Sequence, residues 1–145
     1  MMIKQTILLF LTVVTLLTAC NSEKKKEIDV KSIKIEGVRL DNTKLWQTNI
    51  ETTQGIKKMQ QMMHSFSDRN NATSYASLKN ELETEFTTIF QKCTMKGEAH
   101  NQLHNYLKPM MSIFEGLEST NLATCKANFK AMEKHLAGYA NYFKS

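Results

Sequence analysis

The stretch ATSYASLKNELETEFTTIFQKCT, residues 72–94, decides the fold class of this chain. Its apolar side chains recur at intervals of three or four residues, the spacing that places them on one face of an α-helix. They are Tyr75, Leu78, Leu82, Phe86, Ile89, Phe90 and Cys93. Polar and charged side chains fill the positions between them, so this helix needs other helices to bury its apolar face.

Three further segments have the same helical spacing. The expected helices cover about 43–67, 72–94, 98–117 and 122–143. Pro109 lies inside the third and should kink it, because proline cannot donate the hydrogen bond to the carbonyl of Asn105. Four amphipathic helices of similar length joined by short loops predict an all-α domain over residues 43–145, an up-down-up-down four-helix bundle.

This topology predicts that two cysteines lie at opposite ends of the bundle. We call "the base" the end at which the second and fourth helices finish and the first and third begin. Cys93 and His100 are expected near the base, and Cys125 near the far end, roughly 25 Å away along the axis. A disulfide needs α-carbons within about 7 Å, so Cys93 and Cys125 are predicted to be free thiols. Cys125 shares an apolar stripe and is interpreted as a core residue.

The first twenty residues, MMIKQTILLFLTVVTLLTAC, have the layout of a secretory signal peptide. A basic start at Lys4 precedes an apolar run over residues 7–17, which is too short for a typical membrane-spanning helix. Small residues and then Cys20 end the run. We therefore predict a signal peptide over residues 1–19.

The motif LTAC, residues 17–20, resembles the lipobox of bacterial lipoproteins. The resemblance implies cleavage before Cys20 and fatty acyl chains such as palmitate on that residue, so the expected partner is a membrane and the domain faces the periplasm. Asn21 is not the aspartate that holds many such proteins at the inner membrane. The outer membrane is therefore favoured over the inner membrane or the cell surface. The alternative is an ordinary signal peptide followed by a chance cysteine.

Residues 20–42 are predicted to connect the lipid anchor to the bundle. The charged run EKKKE at 23–27 is typical of a hydrated tether. The run IKIEGVRL at 33–40 alternates apolar and polar residues, but no second run of this kind exists to pair with it, which favours an extended arm lying on the domain. The net charge is +5, with acidic and basic residues interspersed, so no nucleic-acid partner is expected.

The motif CTMKGEAHNQLH, residues 93–104, contains the residues of a potential metal site. His100 and His104 are four residues apart and project from one face of a helix, so both can reach a single ion. Cys93, at the end of the preceding helix, supplies a thiolate, and Met95 supplies a thioether. This soft set of ligands suits copper, and zinc could use the two imidazoles and the thiolate.

The first helix is expected to present polar groups near this site. Trp46, Asn49 and Thr52 are predicted to surround the ligands, either by hydrogen bonding to the histidines or by holding water. The alternative is that the histidines are partly exposed and satisfied by these polar groups, with Cys93 merely buried.

The sequence does not support other site chemistry. It contains no CxxCH motif for covalent haem, and the resemblance of the predicted bundle to cytochrome b562 in size and helix count implies a fold and no haem. Phosphate loops, paired inward carboxylates and Glu-x-x-His pairs are absent from the sequence, so no catalytic residue is assigned and no enzyme is expected. His64 and His135, on separate helices, are interpreted as surface residues.

Two stretches resemble a group of small bacterial lipoproteins with a helical domain. They are LWQTNIETTQGIKKMQ at 45–60 and KCTMKGEAHNQLHNYLKPM at 92–110. The resemblance covers most of the chain after Asp41 and implies an envelope location and a helical fold, without implying an activity. The expected function is a lipid-anchored periplasmic bundle that binds copper or zinc. The alternative is a metal-free structural or partner-binding lipoprotein of the cell envelope.

Overall fold

The computed structural model describes residues 35 and 37–145 of the chain. This part of the protein is mainly helical, so the predicted all-α class is confirmed. The helices are α1 (Ile50–Ser65), α2 (Ala72–Lys92), α3 (Gly97–Leu107), α4 (Pro109–Leu117) and α5 (Leu122–Ala137). The predicted signal peptide, Cys20 and the charged tether lie outside the described residues.

Helix α2 follows the sequence pattern closely. Asn71 precedes it, and the side-chain oxygen of Asn71 accepts a hydrogen bond from the backbone N–H of Thr73, which satisfies a free donor of the first turn. Four residues of the predicted stripe are buried, namely Tyr75, Leu78, Leu82 and Ile89. Phe86 and Cys93 are only half-buried, and the prediction that Phe90 is buried is wrong, because this side chain lies at the edge of the packed face and is 37% exposed. The helix ends at Lys92, two residues before the expected end.

The first and last helices are shorter than predicted, because a small parallel sheet takes their outer ends. Strand β1 (Trp46–Gln47) pairs with strand β2 (Phe143–Lys144). The backbone N–H of Trp46 donates to the carbonyl of Tyr142 at 2.8 Å, which holds these residues in an extended conformation. The prediction of helix over 43–49 is therefore wrong. The prediction of helix to 143 is also wrong, since α5 gives way to a 3-10 helix, Gly138–Asn141, and then to β2.

The third expected helix is divided at the predicted place. Helix α3 ends at Leu107, and α4 begins at Pro109. Lys108 between them keeps helical angles, φ −53° and ψ −43°, and donates its backbone N–H to the carbonyl of His104 at 2.9 Å. Pro109 has no N–H with which to continue this series, so the helix is divided at the proline where a kink is expected.

The helices enclose one apolar core. Helix α1 packs against α2 and α5, and α4 packs against α5 and α2. Small residues allow close approach at two of these contacts: Gly55 on α1 lies against Ile89 of α2, and Gly116 on α4 lies against Asn128 of α5. Four methionines are buried in this core, where their flexible side chains can fill irregular spaces: Met59, Met63, Met110 and Met132.

The segment before β1 lies along α3. Ile35 and Val38 pack against the core. Between them, the carbonyl of Gly37 accepts a hydrogen bond from the Asn105 side chain at 3.0 Å. The backbone N–H of Arg39 donates to Gln102 Oε1 at 2.8 Å. These contacts place the described part of the expected arm on the surface of the helical domain.

Candidate functional site

The predicted ligands Cys93 and His100 are neighbours in the structure. Cys93 follows the last residue of α2, and His100 lies in the first turn of α3. Gly97, with φ +64°, adopts a left-handed conformation that few other residues tolerate, and it lets the chain turn from one helix into the next. The turn brings Cys93 Sγ to 3.5 Å from His100 Nδ1, and both side chains are half-buried.

His104 lies beside His100 on the same face of α3. Their ring centroids are 4.2 Å apart, and the rings are tilted by 45°. His104 is exposed on one side, and on the other its ring meets the edge of Phe90 at a centroid distance of 5.0 Å. Partial burial lowers the pKa of His104, and the nearby charge of His100 lowers it further. Both effects favour the neutral imidazole, which is the form that binds metals.

The four predicted ligands are not gathered around one point. Cys93 contacts His100, and His100 contacts His104. Met95 is half-buried and packs against the hydrophobic core. In residues 35 and 37–145, no group of three or more His, Cys, Asp or Glu side chains is arranged to hold a metal ion. The structure thus presents a thiol–imidazole pair with a second imidazole adjacent to it.

The predicted surrounding residues bond to other groups. Trp46 Nε1 donates to the carbonyl of Arg39 at 2.6 Å. Asn49 Nδ2 donates to the carbonyl of Lys92 at 3.1 Å, and Thr52 Oγ1 donates to Asn49 Oδ1 at 2.8 Å. These bonds connect the start of α1 to the end of α2 and to the arm. They therefore position the backbone on which Cys93 sits.

The second cysteine has a different environment. Cys125 is fully buried, and its Sγ lies 3.0 Å from the carbonyl of Ser119 and 3.5 Å from that of Leu117. Burial raises the pKa of its thiol, which keeps it protonated and unreactive. Cys93 and Cys125 are both free cysteines, and Cys125 is the core residue that its apolar stripe predicts.

The prediction of surface exposure is correct for His64 and wrong for His135. His64 is exposed, as predicted, but His135 is 3% exposed and therefore not a surface residue. His135 faces Tyr106 of α3, with ring centroids 4.5 Å apart. The signal for its burial was its spacing, three residues after the core residue Met132. A histidine at such a position can be buried when backbone carbonyls satisfy its ring nitrogens.

The chain matches no protein-family model, no curated protein and no solved structure. Within the part of the chain that the structure describes, no helix combines the length and the apolar character needed to cross a bilayer.

Proposed function

We propose that this protein is a lipid-anchored helical bundle of the bacterial cell envelope that binds a soft metal ion, copper or zinc, at its base. The observation that carries the metal proposal is the 3.5 Å contact between Cys93 Sγ and His100 Nδ1. A cysteine and a histidine side chain in contact at a half-buried position are a pair of good ligands that an incoming ion can reach.

The proposal includes the up-down-up-down topology, with α3 and α4 counted as one interrupted helix. Contacts at both ends of the α1–α2 pair support opposite directions for these helices. Phe66, after α1, lies 4.8 Å from Tyr75 in the first turn of α2, measured between ring centroids. Asn49, before α1, bonds the carbonyl of Lys92 at the end of α2. The same reasoning applies to α4 and α5, where Cys125 at the start of α5 lies beside Leu117 at the end of α4.

The envelope location rests on the resemblance of LTAC, residues 17–20, to a lipobox. In this proposal Cys20 carries the lipid, the domain faces the periplasm, and Asn21 directs the protein to the outer membrane. The membrane is its partner, and no nucleic acid is bound.

The proposed ion is held first by Cys93 and His100. His104 and Met95 complete its shell by side-chain rotation, since His104 is already one helical turn from His100 and Met95 lies in the turn between α2 and α3. A thiolate, a thioether and imidazoles favour copper in its reduced form, whereas zinc would use Cys93 and the two histidines. Neither haem nor catalysis is part of the proposal.

Metal titration of the purified protein tests this function. The full chain, purified in mild detergent and stripped of metal, should bind one equivalent of Cu(I) or Zn(II). Binding should weaken as pH falls through the histidine range, because protons compete for the imidazoles and the thiolate. Cys93→Ala, His100→Ala and His104→Ala should each weaken binding by about tenfold or more. His64→Ala removes an exposed histidine on another helix and should bind like the wild type.

The second candidate function, docking of a protein partner without metal, is favoured by exposed apolar side chains at the base. Ile50, at the start of α1, is 58% exposed, and Phe90, near the end of α2, is 37% exposed. Such side chains are frequent at protein interfaces. If the folded protein binds neither ion more tightly than the Cys93, His100 and His104 triple variant, metal binding is wrong and this second function takes its place.

A further inference from the structure

His135 and Tyr106 are joined by two reciprocal hydrogen bonds. The Tyr106 hydroxyl donates to the backbone carbonyl of His135 at 2.6 Å. In return, His135 Nε2 lies 2.9 Å from the backbone carbonyl of Tyr106. The two rings also pack on each other, tilted by 32°. This pair connects the last turn of α5 to the end of α3.

The hydrogen bonds define the protonation state of His135. A carbonyl oxygen can only accept, so Nε2 must carry a hydrogen and donate it. In the neutral imidazole the other nitrogen, Nδ1, is then a bare acceptor. Nδ1 is buried and has no hydrogen-bond partner among the described residues. A proton added to Nδ1 would therefore create a buried cation whose new N–H finds no protein acceptor.

Among the described residues, no carboxylate lines the space beside His135 and could offset a positive charge on its ring. A cavity of about 330 Å³ adjoins the residue, and its lining includes Ile35, Lys134, Gly138 and Tyr142. Lys134 is the charged residue of that lining, and its positive charge opposes a second one nearby.

The other titratable groups near His135 are three tyrosines and Glu133. Burial raises the pKa of Tyr106 and of Tyr139, so both phenols stay protonated in the acid range. Tyr142 lines the cavity. Glu133 lies on the same helix as His135. Its carboxylate forms an ion pair with Arg69, which follows α1, at 3.9 Å.

We propose that the Tyr106–His135 pair is an acid-sensitive latch that holds the end of α5 against α3. When His135 takes up a proton at Nδ1, the charged ring turns towards water through the adjoining cavity. This movement breaks the hydrogen bond from Nε2 to the Tyr106 carbonyl. The segment after α5 then loosens, together with Ile35 of the arm, which lies against Gly138. Acid would therefore weaken the contact between the helical domain and the arm that precedes the first strand.

The direction of the pH effect follows from burial. Burial lowers the pKa of His135 in the folded protein, and the hydrogen bond to Tyr106 opposes this only in part. An unfolded histidine has a pKa of about 6.5. The stability that neutral His135 contributes is therefore complete above about pH 6.5 and is lost as pH falls from there through the lower, folded-state pKa.

Hydrogen exchange measured by mass spectrometry on the full chain in detergent tests the latch. Between about pH 7.5 and about pH 5, after correction for intrinsic rates, amides in 106–108 and 137–142 should become at least about tenfold less protected. Amides in the middle of α1 and α2 should keep their protection. His135→Gln retains a donor for the Tyr106 carbonyl but cannot be protonated, so it should abolish the acid effect. His64→Gln, a matched change at an exposed histidine, should behave like the wild type.

Two results would overturn the proposal. One is unchanged protection of these segments in the wild type at acid pH, and the other is an equal acid effect in a folded His135→Gln variant. If that variant does not fold, nitrogen NMR of the wild-type His135 ring decides the matter. Protonation of Nδ1 must then occur over the same pH range as the loss of protection, and opening without it would refute the latch.

Discussion

At the scale of single residues, Gly116 sets how closely α4 and α5 approach. A Cβ added at this position would lie 2.1 Å from the side-chain amide of Asn128, which is almost fully buried. Asn128 is held in place, because its Nδ2 donates to the carbonyl of Thr124 at 2.9 Å. The methyl group of an alanine therefore cannot be accommodated without separating the two helices or moving Asn128.

We predict that Gly116→Ala lowers the free energy of unfolding by about 1–2 kcal/mol, because overpacking outweighs the better helix propensity of alanine. Urea unfolding followed by Trp46 fluorescence measures this change. Gly138→Ala is the control, since its added Cβ would meet Ile35 Cδ1 at an ordinary 3.5 Å. It should change stability by less than about 0.5 kcal/mol. Equal effects of the two substitutions would contradict the packing argument.

The candidate site shows what residue patterns can predict. Cys93 and His100 were expected to be neighbours, and they are, because only a short turn separates α2 from α3 and the helical period fixes which way each side chain projects. The positions of Met95 and Trp46 could not be obtained in this way. Met95 packs on the core and Trp46 bonds Arg39 on the arm, and both contacts depend on parts of the chain that only tertiary packing brings near.

At the scale of helices, α5 begins with a side-chain cap. Asn121 Oδ1 accepts hydrogen bonds from the backbone N–H groups of Ala123 at 2.8 Å and Thr124 at 3.2 Å. These donors would otherwise have no partner in the first turn of the helix. Asn121→Ala should lower the free energy of unfolding by about 1 kcal/mol, measured by urea denaturation.

A matched substitution separates the cap from other roles of Asn121. Asn121→Asp keeps an acceptor oxygen at the same position and should unfold like the wild type, within about 0.5 kcal/mol. If aspartate destabilised the protein as much as alanine does, capping would not be the reason for the effect.

At the scale of the whole molecule, the proposed lipid anchor at Cys20 would determine the location of the protein. Cys20→Ala removes the sulfur that the lipobox resemblance assigns to the lipid, so the protein should no longer be recovered with membranes after cell fractionation. Asn21→Asp keeps the lipid and should shift the protein from the outer to the inner membrane. A Cys20→Ala variant that remained firmly membrane-bound would show that the anchor is elsewhere.

The sequence by itself determined the all-α class, the start of α2 at Ala72, the irregularity at Pro109 and the proximity of Cys93 to His100. These features depend on helical periodicity and on residues close together in the chain. Only the tertiary structure decided that Trp46 and Phe143 pair in parallel and that His135 is buried against Tyr106. Strand pairing and the burial of a polar ring depend on partners from distant parts of the chain, and a local pattern carries no information about which partners packing will supply.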